Sequence, residues 1–188
     1  TPVMLYLAVR DQFTDPVLLE SNESRDNEHY YSIVGLETLA SFTVNEGTIT
    51  KQQLGQWGQE EVVEHRDTVS QRLHEFLGGF DIRYPEKLPL AKQFNGLIGH
   101  TNFEGVQYFD TLKFDNPKVL RAPDLRYHLY RFILAINHYK DELDLLENRL
   151  PGEESRLEEL QTRINSPQFR VHPFTLKGEE TSNLTNEE

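Results

Sequence analysis

The stretch "YYSIVGLETLASFTVNEGTIT", residues 30–50, contains two runs of β-forming residues, a turn and a third run. Residues 30–36 and 38–44 are rich in β-branched and aromatic side chains, which favour strands. Gly47 ends the turn Asn45-Glu46-Gly47, and glycine readily adopts the positive φ that a tight hairpin requires. Residues 48–50 return as the next strand. This stretch therefore predicts a small antiparallel meander.

The segments around the meander show both helix and strand patterns. Thr1 followed by Pro2 is typical of a helix start, because a hydroxyl caps the helix and proline fits its first position. Periodicity predicts helices at residues 3–10, 59–77, 103–112 and 153–164 and strands at residues 17–20, 94–98, 127–136 and 143–146. Taken alone, "KDELDLLENRL" at 140–150 also fits a helix. The predicted fold class is α+β, with antiparallel β-sheets and flanking helices.

Composition excludes several classes of protein. The 188 residues carry a net charge of −12, which opposes binding to nucleic acid and to anionic membrane surfaces. The chain has no cysteine, so disulfide scaffolds, cysteine-type zinc sites and thiol nucleophiles are excluded. No apolar run is long enough to span a bilayer. We expect a cytoplasmic protein with neither a nucleic-acid nor a membrane partner.

The sequence shows no catalytic or metal-binding motif. It has neither a Gly-x-Ser-x-Gly elbow nor a phosphate-binding loop. Gly96 and Gly99 in "NGLIGH" are interpreted as positions of tight packing against a neighbouring helix. We expect no catalytic residue, no metal ligand and no cofactor in this chain. The scattered histidines are interpreted as structural or solvated: His65, His74, His100, His128, His138 and His172.

Five segments in order carry a resemblance to a known family. Residues 1–21 read "TPVMLYLAVRDQFTDPVLLES" and residues 30–44 read "YYSIVGLETLASFTV". The later segments are "FNGLIGHTNFEGVQYFD" at 94–110, "LYRFILAINHYKDELDLLEN" at 129–148 and "GEETSNLTNEE" at 178–188. Together they resemble the N-terminal domain of anthranilate synthase component I, in which a proline-led helix precedes a strand that ends in Leu-Leu-Glu-Ser.

The resemblance implies a domain organisation and an activity. Residues 1–174 would form the N-terminal regulatory domain, and residues 175–188 would lead to a chorismate-binding catalytic domain that this chain lacks. The whole enzyme would convert chorismate, with ammonia from a glutamine amidotransferase subunit, into anthranilate and pyruvate. The family's catalytic residues and magnesium ligands lie beyond residue 188, so this chain alone is expected to be inactive.

The resemblance also implies a site for the feedback inhibitor L-tryptophan. An amino acid zwitterion needs an anion for its ammonium group and donors for its carboxylate, and its indole needs an apolar slot. Glu20 can supply the charge, and the family places Pro2 against the indole. Some family members carry lysine at the position of Tyr31. The implied effector residues are Pro2, Leu19, Glu20, Ser21, Tyr31 and Ser32.

Three alternatives stay open at this point. Glu20 could merely cap a turn while Ser21 satisfies local backbone groups. The N-terminal domain of aminodeoxychorismate synthase component I shares the same architecture. A non-enzymatic interaction module with an acidic surface would also fit the composition, and a chorismate-binding domain in the same gene would distinguish it from the enzyme.

Overall fold

The computed structural model describes residues 1–20, 30–53, 56–63, 65–66, 68–86, 89–114, 118, 122–165, 175 and 177–178. These residues form an antiparallel sheet with short flanking helices. The helices are α1 (Pro2–Val9), α2 (Thr68–Gly78), α3 (Pro89–Phe94) and α4 (Leu157–Asn165), with 3-10 turns at Arg10–Gln12 and Phe103–Tyr108. The strands are β1 (Val17–Glu20), β2 (Tyr31–Asn45), β3 (Thr48–Gln53), β4 (Gln56–Val62), β5 (Leu97–Thr101), β6 (Leu125–Asn137) and β7 (Glu142–Glu147). The predicted fold class is confirmed.

Two long strands, β2 and β6, pair with each other and form the centre of the sheet. At one end they are flanked by β1 and β7, which gives the strand order β1-β2-β6-β7. At the other end the order is β4-β3-β2-β6-β5. The sheet therefore has two halves that share β2 and β6.

The two β-forming runs, 30–36 and 38–44, form one continuous strand with a bulge where they meet. Glu37 has a positive φ of 60°, and the register shifts between Thr38 and Ala40. Both Arg131 and Arg156 donate hydrogen bonds to the Glu37 carboxylate, at 2.7 and 2.8 Å. Hydrogen bonding from Arg131 also lowers the pKa of Glu153 to about 2. These ion pairs hold the strained residue in place.

Several sequence predictions were wrong in detail. The helix predicted at 59–77 begins only at Thr68, because residues up to Val62 form β4 and pair with β3. The strand predicted at 94–98 is displaced: α3 ends at Phe94 and β5 begins at Leu97. Gly99 does pack tightly, but its neighbour is the backbone of β6 and not a helix. In each case a long-range strand pairing overrides the local pattern.

The core is divided between the two halves of the sheet. Helix α2 and the 3-10 turn at Phe103–Tyr108 cover the β3-β2-β6-β5 half, and α1 and α4 cover the β1-β2-β6-β7 half. The second cluster buries Ala8, Val9, Val34, Leu36, Phe132, Leu134 and Leu160. Because α1 is only eight residues long, its first turn lies near the edge of this cluster.

A buried histidine gives the fold a pH dependence. His128 lies in β6, and its Nδ1 is 3.1 Å from the Thr38 hydroxyl. Burial, and then the charge of Arg126, lower the pKa of His128 from its ordinary value of 6.5. The unfolded chain therefore binds the proton more readily than the folded chain. The contribution of neutral His128 to the free energy of unfolding is fully present above about pH 6.5, and it is lost as the pH falls towards the folded pKa.

His128→Gln should weaken this pH dependence, because the amide does not titrate. The measurement is the urea midpoint of both proteins at about pH 7.5 and about pH 5.5, on either side of the ordinary histidine pKa. The midpoint of the native chain should fall more between the two pH values than that of the variant. An equal fall in both proteins would contradict the assignment.

Candidate functional site

Four residues in register form a row across the β1-β2-β6-β7 end of the sheet. Glu20 pairs with Ser32, Ser32 with Ile136, and Ile136 with Leu143. Directly paired residues point to the same face of a sheet. The neighbouring row on that face is Leu18, Val34, Leu134 and Leu145, which packs in the cluster under α1 and α4. The row from Glu20 to Leu143, named the end row, therefore lies just beyond the helix-covered core.

A cleft opens where the first turn of α1 meets the end row. Its volume is about 420 Å³, and it is lined by Thr1, Pro2, Leu5, Ile136, His138, Asp141 and Leu143. Thr1 caps the helix, because its hydroxyl accepts a hydrogen bond from the Met4 amide at 3.3 Å. Proline at the first helical position fixes the adjacent backbone. The wall that α1 contributes is consequently well defined. We name the whole cleft the α1 cleft.

The opposite wall is formed by the hairpin that joins β6 to β7, and it includes His138. Nε2 of His138 lies 2.8 Å from the hydroxyl of Ser32, which is 1% exposed. The imidazole stacks on the ring of Tyr30, with 4.3 Å between ring centroids. The His138 amide donates a hydrogen bond to the Tyr30 carbonyl at 3.0 Å. These contacts hold the ring at the edge of the cleft.

The structure brings some of the predicted effector residues together and separates others. Pro2 lines the cleft, and Ser32 contacts it through His138. Glu20 lies in the end row, two strands from Ile136, a separation of about 10 Å at the usual strand spacing. Leu19 and Tyr31 alternate with these residues and therefore point to the opposite face.

Tyr31 has its own partners on that opposite face. Its ring packs against Phe94 of α3, with centroids 4.7 Å apart, and its hydroxyl accepts a hydrogen bond from the Asn137 side chain at 2.8 Å. Ser21 lies outside the residues that the structure describes. The assignment of these six residues to an effector site stays a prediction.

Most of the cleft lining was not anticipated from the sequence. Leu5, Ile136, Asp141 and Leu143 looked like ordinary helix, strand and turn residues, and His138 was interpreted as structural or solvated. The predicted strands at 127–136 and 143–146 were a signal for the pairing of Ile136 with Leu143, but not for the pairing of that hairpin with β2.

The chemistry of the α1 cleft suits binding of a small amphipathic molecule. Pro2, Leu5, Ile136 and Leu143 supply apolar surface, His138 supplies a polar ring edge, and Asp141 supplies a carboxylate. Within the described ranges, no group of three or more histidine, aspartate or glutamate side chains is placed to hold a metal ion. In the same part of the chain, no helix is long and apolar enough to cross a membrane.

Comparison with known proteins identifies two that are similar in sequence to this chain. No family model matches it. Anthranilate synthase component 1 of Thermus thermophilus is 30% identical over 169 residues, which is 89% of this chain and 34% of that protein. This chain is related to anthranilate synthase component 1. The resemblance inferred from the five sequence segments is thereby confirmed.

Other comparisons name the same protein. Anthranilate synthase component 1 of Acinetobacter calcoaceticus is 24% identical over 169 residues, or 88% of this chain and 33% of that protein. A crystal structure of anthranilate synthase component I from Streptococcus pneumoniae TIGR4 has a TM-score of 0.49 and 19% identity, and covers 88% of this chain and 33% of the other. The chain thus spans about a third of the length of the anthranilate synthase components it matches.

Proposed function

We propose that this chain is the N-terminal regulatory domain of an anthranilate synthase component I and that the α1 cleft binds L-tryptophan as feedback inhibitor. The observation that carries the proposal is an apolar cleft lined by Pro2 and by Ile136 and Leu143, which belong to the same row across the sheet as Glu20 and Ser32. Both sequence relatives bear the name anthranilate synthase component 1, which favours this enzyme over aminodeoxychorismate synthase.

The cleft offers complementary groups for each part of tryptophan. The flat indole would lie against Pro2 and Leu5 on one side and against Ile136 and Leu143 on the other. Asp141, which is exposed at the hairpin, can receive the ammonium group. Glu20 adds a second negative charge further along the end row. A volume of about 420 Å³ falls in the usual range for small-molecule sites.

Catalysis would belong to the part of the enzyme that this chain does not contain. The longer protein would convert chorismate, with ammonia from its glutamine amidotransferase subunit, into anthranilate and pyruvate, and would hold magnesium outside the present residues. Tryptophan would inhibit through a coupling free energy between the α1 cleft and the catalytic domain, not through contact with reacting groups.

A group of exposed aromatic and aliphatic side chains supports a contact with that catalytic domain. Phe103 is 79% exposed and its ring lies 5.4 Å from that of Phe114, while Phe109 and Leu112 are also exposed. If these side chains form one contiguous exposed patch, the patch would mark an interaction surface. The matched region is about a third of the length of each relative, and the chorismate-binding domain is the partner we assign to this surface.

Titration calorimetry of L-tryptophan into the chain tests the proposal. We expect saturable binding at one site for L-tryptophan and none for L-alanine, which lacks the indole. Leu143→Glu should weaken binding at least about tenfold, because it places a charge on the apolar floor (tenfold is about 1.4 kcal/mol). Leu77→Glu is the matched control, since Leu77 is 46% exposed on α2 and Leu143 is 43% exposed.

Three results would contradict this proposal. They are no detectable heat of binding with L-tryptophan, equal effects of the two substitutions, and equal binding of L-alanine. In a parallel assay, the chain incubated with chorismate, magnesium and ammonia should give no anthranilate fluorescence. Turnover above the buffer blank would place catalytic residues inside the chain and overturn the division of roles.

A further inference from the structure

We propose that His138 determines the specificity of the α1 cleft for the carboxylate of its ligand, and that Ser32 and Tyr30 are positioning residues for the imidazole. The inference rests on the proposed function, since it assigns a recognition role within the same cleft. The ligand class is an α-amino acid with a large apolar side chain. In this arrangement Nδ1–H of His138 donates a hydrogen bond to the ligand carboxylate.

The first step concerns which part of the imidazole faces the cleft. Nε2 is taken by the Ser32 hydroxyl at 2.8 Å, and one ring face is covered by Tyr30. His138 nevertheless contributes to the cleft lining. The edge that carries Nδ1 is therefore the polar part of the ring left for a ligand.

The second step concerns the position of the ring proton. A neutral imidazole has one donor and one acceptor nitrogen, and the hydrogen bond at one nitrogen fixes the role of the other. If the buried Ser32 hydroxyl donates to Nε2, the proton lies on Nδ1 and Nδ1 becomes a donor. A carboxylate accepts such a bond strongly, because the acceptor is ionised.

The third step concerns the orientation of the ligand. Asp141 lines the same cleft as His138 and would repel a carboxylate while attracting an ammonium group. The zwitterion would therefore place its ammonium group towards Asp141 and its carboxylate towards His138. The apolar side chain would then extend over Ile136 and Leu143.

A purely structural role for the imidazole is less well supported, because the hairpin is closed by other groups. The Asn137 side-chain oxygen accepts hydrogen bonds from the amides of Tyr139 and Lys140, each at 3.0 Å. The backbone bond from His138 to Tyr30 does not depend on the side chain. The ring is thus available for ligand recognition.

Two substitutions of His138 distinguish the role of Nδ1 from that of Nε2. The amide nitrogen of asparagine lies as many bonds from the backbone as Nδ1, and that of glutamine lies as many as Nε2. His138→Asn can therefore replace the donor to the ligand, whereas His138→Gln can replace only the contact with Ser32. His74→Gln is the matched control, because His74 is exposed on α2, outside the cleft lining.

Affinities for L-tryptophan and for tryptamine, which lacks the carboxylate, provide the test. We expect His138→Gln to weaken L-tryptophan binding about tenfold, and His138→Asn and His74→Gln to keep it within about threefold of the native chain. Tryptamine affinity should be the same in all four proteins. A thermal unfolding curve for each variant checks that it is folded. Ser32→Ala serves as a second variant, expected to weaken L-tryptophan binding and not tryptamine binding.

The possible results point in different directions. Unchanged L-tryptophan affinity in both His138→Gln and Ser32→Ala would overturn the role of His138 and leave the proposed function standing. A parallel loss of L-tryptophan and tryptamine affinity would show that the ring only supports the cleft, and would also overturn it. Failure of the native chain to bind either ligand would overturn the proposed function, and the inference with it.

Discussion

Phe132→Ala should lower the free energy of unfolding by about 3–5 kcal/mol, the usual cost of removing a buried phenylalanine ring. Phe132 is 1% exposed in the central strand β6 and belongs to the cluster under α1 and α4. Its ring meets that of Phe13 edge-on at 6.0 Å, and the Arg156 guanidinium lies 5.6 Å above it. The substitution therefore removes apolar burial and two further ring contacts together.

Urea denaturation of the native chain and the variant measures this effect. Phe103→Ala is the control, because Phe103 is highly exposed and its removal should change stability by no more than about 0.5 kcal/mol. Losses of similar size for the two substitutions would show that the buried cluster under α1 and α4 is not formed as described.

Gly99→Ala should be the second large effect, at roughly 3 kcal/mol, the upper part of the range for overpacking. A Cβ at Gly99 would lie 1.9 Å from the Arg126 carbonyl oxygen and 2.7 Å from the Tyr127 Cα. Both atoms are backbone of β6, which cannot rotate away as a side chain could. Gly99 of β5 pairs directly with Tyr127 of β6, so the two strands would have to separate at this point.

Gly96→Ala provides the matched control three residues earlier. No described atom lies within 4 Å of a Cβ built at Gly96, so the tight packing predicted at this position was wrong. The alanine should be neutral, or stabilising by up to about 1 kcal/mol through the smaller entropy of the unfolded chain. Chemical denaturation gives both values, and amide exchange in β5 should quicken only in Gly99→Ala. Equal effects at the two glycines would contradict the close approach of β5 to β6.

The central strands could be predicted because their signals are local. Residues 127–136 are dominated by large aromatic and aliphatic side chains, and they fall within β6 (Leu125–Asn137). The turn at Asn45-Glu46-Gly47 carries its own glycine, with an observed φ of 76°. Strand β4 was mistaken for helix because it is an edge strand, whose pairing with β3 alone decides its conformation.

The α1 cleft could be predicted only in part, because it depends on register. The end row joins Glu20 and Ser32 to Ile136 and Leu143, which lie more than a hundred positions later in the sequence. The alternation of strand side chains could have separated Leu19 and Tyr31 from Glu20 and Ser32 beforehand. The contact between His138 and Ser32 could not, since it requires the full pairing of β2 with β6.

The central claim, that the α1 cleft is the tryptophan site, is tested most directly by a nuclear magnetic resonance titration. Backbone amide shifts of the isotope-labelled chain would be followed as L-tryptophan is added, with L-alanine as control. The account predicts saturable changes concentrated at the first turn of α1 and at residues 136–143, with α2 unaffected. Changes centred elsewhere in the chain, or none at saturating tryptophan, would contradict it.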